Sequence, residues 1–570
     1  MVNDPEYATL LLAVADHARV GNPNTIGACD DTESEYVDRT YSEVFAHTIG
    51  AARQLIAHGI QPGDAVGVDM TTGPDLPVAI LAVLAAGAAL VPLRGGLRDG
   101  FSDRDRAVAE HAVSIAGVRW CLAPRRRLPA YRSLGLTAWS IEGIASAPAA
   151  EDAQLPVPAD PEATALIQFS SGSTAAPRGI VLTHGNLAAN MQELSRRARM
   201  GSGARLFSWL PFSHDLGLVA SFFGSLYGGT GFRAMPPEAF VRDPLRWLRE
   251  LSAFRATISA GPPFGYLMVL QHAKRRAAEL SGCDLSSIES LSIGSERVPA
   301  ELCRVFPTAF APIGLRPNVM LACYGLAENC AGVASPIPGS PLTVCTVDRA
   351  ALAAGDFKLS EAADASAIVG HGVPLPGTEL RIVDADGAVL AADRVGEIQI
   401  SGASTAQQIL REPGRAEPAG QDGFVATGDL GCFHQGELFV VGRIKELFKY
   451  AGRTFSPFEI ETAVFRARIP GVTGVAMTPV RAENDATESV LIILELARKA
   501  GPDVARTVGA TLLREFGVPV REVHQARPRG IPRTTSGKIQ RAALAEAWLT
   551  GELTEKFGLR RIELTERTHL

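Results

Sequence analysis

Gln168-Phe-Ser-Ser-Gly-Ser-Thr-Ala-Ala-Pro-Arg-Gly179 crowds hydroxyls, glycines and one cation into a short stretch. Glycine lets backbone N–H groups turn inward and approach closely, so such a loop can wrap a polyphosphate. Ser170, Ser171, Ser173 and Thr174 add hydroxyl donors around Gly172, and Arg178 adds a fixed positive charge. Upstream, Ala163-Thr-Ala-Leu-Ile-Gln-Phe169 reads as a buried strand. Downstream, Gly179-Ile-Val-Leu-Thr-His-Gly-Asn-Leu187 leads into an expected helix. The expectation is a phosphate loop between strand and helix. The G-x-x-x-x-G-K-[ST] spacing of a P-loop is absent. Taken alone, a loop of this composition is more often ordinary surface, so its meaning depends on its company.

Working outward, helical and strand-like segments alternate. Residues 41–59 have helical periodicity, 64–69 read as a strand, and the apolar run 76–93 reads as a buried helix followed by a buried strand. Strand-like runs recur at 206–210, 256–260, 290–293 and 317–323, with helical segments at 184–199 and 263–280. This alternation predicts layered α/β structure with largely parallel sheets. From about 378 the pattern turns β-rich, with turns at Asp386-Gly387 and Gln435-Gly436. Arg443-Ile-Lys-Glu446 follows as a hinge candidate, and a small α+β domain of roughly 125 residues completes the chain.

At 570 residues the chain exceeds one ordinary core. Hydrophobic residues at 46% and charged residues at 20% predict a globular protein, and the net charge of −6 argues against a nucleic-acid surface. The eight cysteines form no CxxC pair, so the expectation is reduced thiols in a cytoplasmic protein, without a zinc site. The start of the chain lacks an apolar signal core. Pro77 and Pro92 bracket the Ala- and Gly-rich 76–93 run, which argues against stable membrane insertion.

Four further motifs bear on the opening loop. Tyr324-Gly-Leu-Ala-Glu328 places an aromatic ring beside a carboxylate: Tyr324 can flank a flat ring and Glu328 can hold Mg²⁺ through oxygen. Thr427-Gly-Asp429 supplies a carboxylate suited to two ribose hydroxyls, or simply an Asx turn. Arg443 sits in the same β-rich segment, and Thr534-Thr-Ser-Gly-Lys538 carries a loop lysine that is normally just solvated.

Together these motifs, in this order, resemble the adenylate-forming superfamily of acyl-CoA synthetases, luciferases, nonribosomal adenylation domains and fatty acyl-AMP ligases. The resemblance runs from about residue 41 to 541. It implies an adenylating domain over 1–442 with a β-rich subdomain at about 378–442, a hinge at 443–447 around Lys445, and a mobile C-terminal lid over 448–570. It implies ATP and Mg²⁺ as cofactors. Lys538, Glu328 and Arg178 would be catalytic, with Glu328 the metal ligand. ATP and AMP would be held by Ser170, Ser171, Gly172, Ser173, Thr174, Gly294, Ser295, Glu296, Tyr324, Gly325, Leu326, Ala327, Asp429 and Arg443. Ala175 and Arg178 depart from the family's usual glycine and lysine; arginine keeps the charge and changes the donor geometry.

Within the superfamily, Trp209-Leu-Pro-Phe-Ser-His-Asp-Leu-Gly217 and Ile293-Gly-Ser-Glu296 are similar to segments of fatty acyl-AMP ligases. An extra stretch at about 338–370 resembles the insertion that distinguishes these ligases from acyl-CoA synthetases and is associated with poor use of free CoA. The implied partners are a fatty or other hydrophobic acid and the phosphopantetheine thiol of an acyl carrier protein. His214, Phe212, Gly261 and Tyr266 would line the acyl site; His214 could instead cap a helix. Lys445-Glu-Leu-Phe-Lys-Tyr-Ala-Gly452 points the other way, because Lys449 resembles luciferases and CoA ligases. An acyl-CoA synthetase is thus the second reading, and an inactive nucleotide-binding homologue the third.

Overall fold

The computed structural model describes residues 6–30, 35–95, 99–148, 154–169, 177–362, 365–450, 453–481, 488–497, 500–501, 503–528, 530–533 and 539–562. Two large sheets organise the first part. One orders eight strands as Arg415–Pro418, Gln408–Glu412, Gly179–Thr183, Thr164–Phe169, Ala89–Leu93, Ala65–Asp69, Trp120–Ala123 and Thr137–Ser140. The other orders seven as Met320–Ala322, Ser290–Ile293, Ile258–Gly261, Arg205–Ser208, Gly231–Ala234, Thr25–Ala28 and Val37–Thr40. All neighbours in the second sheet run parallel except the last pair.

Burial explains the layering. The helix Leu76–Ala85 is apolar all round and every residue in it is buried, with Pro77 in the first turn where its missing N–H costs nothing. It shares one core with the amphipathic helix Tyr41–Ala57 and with inward residues of both sheets, such as Val66, Leu90, Leu206 and Phe232. Helices Pro244–Phe254, Pro263–Arg276 and Ala300–Phe310 cover the far face of the seven-stranded sheet. The helix Asp103–Ala116 covers the far face of the eight-stranded one. Among the buried polar groups, Asp69 is held by three donors: its carboxylate accepts from Arg127 Nε at 2.6 Å, Tyr131 OH at 2.8 Å and the Thr71 hydroxyl at 2.6 Å.

The loop-bearing segment departs from its expected context. Thr164–Phe169 pairs antiparallel with Gly179–Thr183, and the helix begins only at His184. Residues 170–178 are therefore a hairpin connection, because Ile180, Val181 and Leu182 form a ladder before the Thr183 cap starts the helix. Within the β-rich part, Thr378–Val383, Gly396–Gly402, Val425–His434 and Glu437–Arg443 form one sheet. Gln408–Glu412 leaves it and pairs with Gly179–Thr183.

Residues 448–562 build cores of their own, around a sheet of Val472–Val480, Ser489–Leu496, Val520–Ala526 and Arg560–Ile562. They meet the rest of the chain partly through arginines: Arg297 lies 4.5 Å over Phe458, and Arg349 lies 5.1 Å over Phe516. The extra stretch forms a hairpin, Val344–Val347 with Ser366–Val369, linked by the short helix Arg349–Ala353.

Candidate active site

Parallel strands present their C-terminal ends as the natural place for a ligand. Ser290–Ile293 and Met320–Ala322 are such neighbours, paired in parallel up to Ile293 opposite Ala322. Gly294–Glu296 leaves one and Tyr324–Glu328 follows the other, so these two stretches emerge side by side. Close approach demands glycine twice: a Cβ on Gly294 would sit 2.6 Å from the Cys323 carbonyl oxygen of the neighbouring stretch, and one on Gly325 would sit 1.8 Å from that of Ala331, beside its antiparallel partner. Ser295 adopts φ +65, an uncommon conformation for a residue with a side chain. Leu326 and Ala327 are buried, and Ala327–Asn329 forms a single 3₁₀ turn that presents Glu328.

Glu328 accepts from Arg178 at 3.2 Å. Burial pushes its carboxyl above the usual carboxylate range; Arg178 and Arg443 pull it back, and Asp215 adds to the rise. A buried carboxylate facing two cations suits a site where several charges must be balanced. Among the described residues no group of three or more ligating side chains could hold a metal alone. Glu328 nonetheless fits Mg²⁺, which commonly takes one or two carboxylates and completes its shell with phosphates and water.

The second cluster comes from the β-rich sheet. Asp429 and Arg443 face each other across paired strands, and Arg443 Nε donates to Asp429 Oδ1 at 2.5 Å. Tyr324 OH donates to Asp429 Oδ2 at 2.9 Å. Asp429 beside Arg443 holds the guanidinium's pKa up, and burial raises that of Tyr324. The Thr427 hydroxyl accepts from the Asp429 backbone N–H at 3.1 Å and fixes the turn.

A third element is the segment after Arg205–Ser208. Gln168 Nε2 donates to the Ser213 carbonyl at 3.0 Å, tying the loop-bearing strand to it. His214 Nδ1 lies 2.6 Å from Asp215. A π-helical run, Leu216–Phe223, follows, a rare form that recurs at functional sites. His214 and Ser295 line one narrow apolar recess with Trp209, Leu216, Pro262 and Phe264. Gly261 abuts the Trp209 indole. Phe212 packs on Phe222 and Phe232, and Tyr266 packs on Trp247 and Phe306 while donating to the Ser292 carbonyl. Both are core residues outside that recess. Trp209 and Leu216 stood in the 209–217 motif without a lining role; the signal for Trp209 was a tryptophan leaving the C-terminal end of a parallel strand.

Ser170, Ser171, Gly172, Ser173, Thr174 and Lys538 lie outside the described residues, as does the side chain of Lys449. Their flanks are described. Arg178 reaches Glu328 in the site, and Arg533 pairs with Ile539 across the 534–538 segment. Arg533 Nη1 lies 4.0 Å from Glu296, so the stem of that segment meets the Gly294–Glu296 turn. Lys445 is exposed in the turn Ile444–Glu446, between Asp429's partner strand and the hairpin Phe448–Tyr450 with Arg453–Phe455.

Known proteins resemble this chain in sequence and fold. The AMP-binding enzyme family matches residues 16–410. The chain is 31% identical over 553 residues to the 4-hydroxyphenylalkanoate adenylyltransferase of Mycobacterium tuberculosis, covering 90% of this chain and 87% of that protein. It is 29% identical to the long-chain-fatty-acid–AMP ligase FadD28 of Mycobacterium bovis, covering 91% and 93%. A solved structure from work on fatty acyl-adenylate ligases of E. coli and L. pneumophila superposes with a TM-score of 0.85 at 27% identity, covering 96% of this chain and 99% of that one. No helix among the described residues is long and apolar enough to cross a membrane. The chain therefore belongs to the AMP-binding enzyme family and is an adenylate-forming enzyme similar to the fatty acyl-AMP ligases.

Proposed function

We propose that this enzyme activates a hydrophobic, fatty-type carboxylic acid with ATP and passes the acyl group to the phosphopantetheine thiol of an acyl carrier protein. The observation that carries the first half is the meeting of Arg178–Glu328 with Tyr324–Asp429–Arg443 at the strand ends. The acid's carboxylate attacks the α-phosphorus of ATP in line, and pyrophosphate leaves. No protein nucleophile is required. Two anions must meet, so catalysis is charge neutralisation and positioning. Arg178 and the 170–176 stretch hold the β- and γ-phosphates. Asp429 takes the ribose hydroxyls, with Arg443 and Tyr324 fixing its two oxygens. Gly294, Ser295, Glu296 and Tyr324 flank the adenine. Lys538 neutralises charge between carboxylate and α-phosphate; the contact between Arg533 and Glu296 supports that reading. Glu328 would hold Mg²⁺, which supplies further neutralisation of the phosphates when bound. The acyl chain enters past His214 and Ser295.

In the second half-reaction the carrier thiol attacks the acyl carbonyl and AMP leaves, after residues 448–570 pivot about Lys445. Preference for a carrier over free CoA is supported by the extra hairpin, whose Arg349 touches Phe516 and so braces the small domain against the large one. Lys449 on the Phe448–Tyr450 strand favours the alternative, transfer to CoA. Trapping the acyl-AMP with hydroxylamine across a panel of acids tests the first half. Hydroxamate formation with medium or long acids supports the reading, and none with any acid refutes it.

A further inference from the structure

The 170–178 connection is long for a hairpin, and among the described residues the ladder leading to it ends at the pair Phe169 opposite Gly179. A loop that clamps phosphate needs its two ends fixed, since a displacement of about 1 Å at a charged clamp is costly. One side chain touches both ends. His111, on the helix Asp103–Ala116, has Nε2 at 2.7 Å from the Pro177 carbonyl oxygen. Its ring meets Phe169 edge-on at 6.4 Å between centroids. Pro177 precedes Arg178, whose guanidinium pairs with Glu328. The helix is itself anchored, with Ala112 in the core beneath the eight-stranded sheet.

We infer that His111 is a positioning residue for ATP: its Nε2–H holds the Pro177 carbonyl, and its ring braces Phe169, so that Arg178 is aimed at the phosphates. The inference rests on the phosphate-clamp reading of 170–178. It deepens that reading by assigning the placement of the two flanking residues to a helix outside the site. His111 touches no reacting atom, and it acts only through the two residues that flank the loop.

Three variants test this in the full-length enzyme. His111→Phe keeps the ring and removes the donor, His111→Gln restores an N–H of similar reach, and His111→Asn shortens that reach. One hydrogen bond of ordinary strength predicts an ATP KM about five-fold higher in His111→Phe and His111→Asn. The KM for the acid stays unchanged, and His111→Gln stays within about two-fold of wild type. The shift in melting temperature produced by ATP, read without acid, shrinks in the same two variants. An unchanged ATP KM in His111→Phe, a matching rise in the acid KM, or a His111→Gln as impaired as His111→Phe overturns the inference. If His111→Phe fails to fold, the comparison of His111→Asn with His111→Gln decides it. A wild-type enzyme that is stabilised by ATP yet shows no acid-dependent exchange refutes adenylation, and His111 is then judged on the melting shift. No ATP binding at all refutes both.

Discussion

Asparagine at position 429 would lose much of the grip on ribose, and the loss can be estimated from the hydrogen bonds. An ionised carboxylate offers about four acceptor positions. Arg443 Nε occupies one on Oδ1 at 2.5 Å, and Tyr324 OH occupies one on Oδ2 at 2.9 Å. About two remain, matching the 2′- and 3′-hydroxyls. Asparagine keeps one accepting oxygen, which the protein donors already contest, and its nitrogen accepts nothing. The ribose then loses one or two charge-assisted bonds of about 1.5–3 kcal/mol each. A loss near 3 kcal/mol is roughly a hundred-fold in kcat/KM for ATP. The assay is acid-dependent ATP–pyrophosphate exchange with ATP and with 2′,3′-dideoxy-ATP, on wild type and Asp429→Asn. The four values form a cycle between the side chain and the hydroxyls. Wild type is expected to lose about a hundred-fold on removal of the hydroxyls, and Asp429→Asn little more than it has already lost. Equal penalties for the dideoxy nucleotide in both enzymes would refute the assignment.

Three further outcomes follow from buried charge. Burial raises the Glu328 pKa, so the stability tied to its protonated form is complete below its unfolded value and is lost as pH rises through the folded one. Glu328→Gln should therefore melt no lower than wild type at pH 8 while adenylating about 10²–10³ slower; a lower melting temperature contradicts this. Asp69 and Arg127 are both nearly inaccessible, so Arg127→Met leaves a stranded carboxylate and should cost about 3–5 kcal/mol in urea unfolding. A cost below about 1 kcal/mol would show that the pair is not what holds that corner. His184 and His371 are held down to about 4, by burial in both and also by Arg297 for His371. Between pH 6.5 and 4 the unfolded chain binds protons that the folded chain refuses, and each histidine then removes about 3 kcal/mol of stability. His371→Gln should flatten this acid limb, and an unchanged slope would contradict the assignment.

The candidate site was legible only from short stretches read together. Tyr324 to Glu328, Thr427 to Asp429 and residues 170–178 each suit an ordinary turn or surface loop as well, and their company in this order is what points to adenylation. Alternating apolar segments likewise announced the parallel layers, and the structure sets Ser290–Ile293 beside Met320–Ala322 as those layers require. Long-range pairing was less visible. Ile180 to Thr183 can lead into a helix or pair with Thr164–Phe169, and only the second strand decides. Gln408–Glu412 resembles its β-rich neighbours yet joins the sheet beside the loop. The placement of aromatic residues depends on packing in the same way. Phe212 and Trp209 stand three positions apart in one apolar segment, and only packing against Phe222 and Phe232 sends Phe212 to the core while Trp209 lines the recess. His111 carried no motif at all; it matters only because the fold brings its helix to the hairpin's mouth.

The central claim is tested most directly by one competition. The enzyme is given ATP, Mg²⁺, a hydrophobic acid, a holo acyl carrier protein and an equal concentration of free CoA, and the products are weighed by mass spectrometry. The account predicts AMP, pyrophosphate and a carrier protein heavier by one acyl group, with acyl-CoA at most a trace. Acyl-CoA as the main product would move the enzyme to the CoA-ligase reading, and the absence of any acyl-AMP-derived product would contradict adenylation itself.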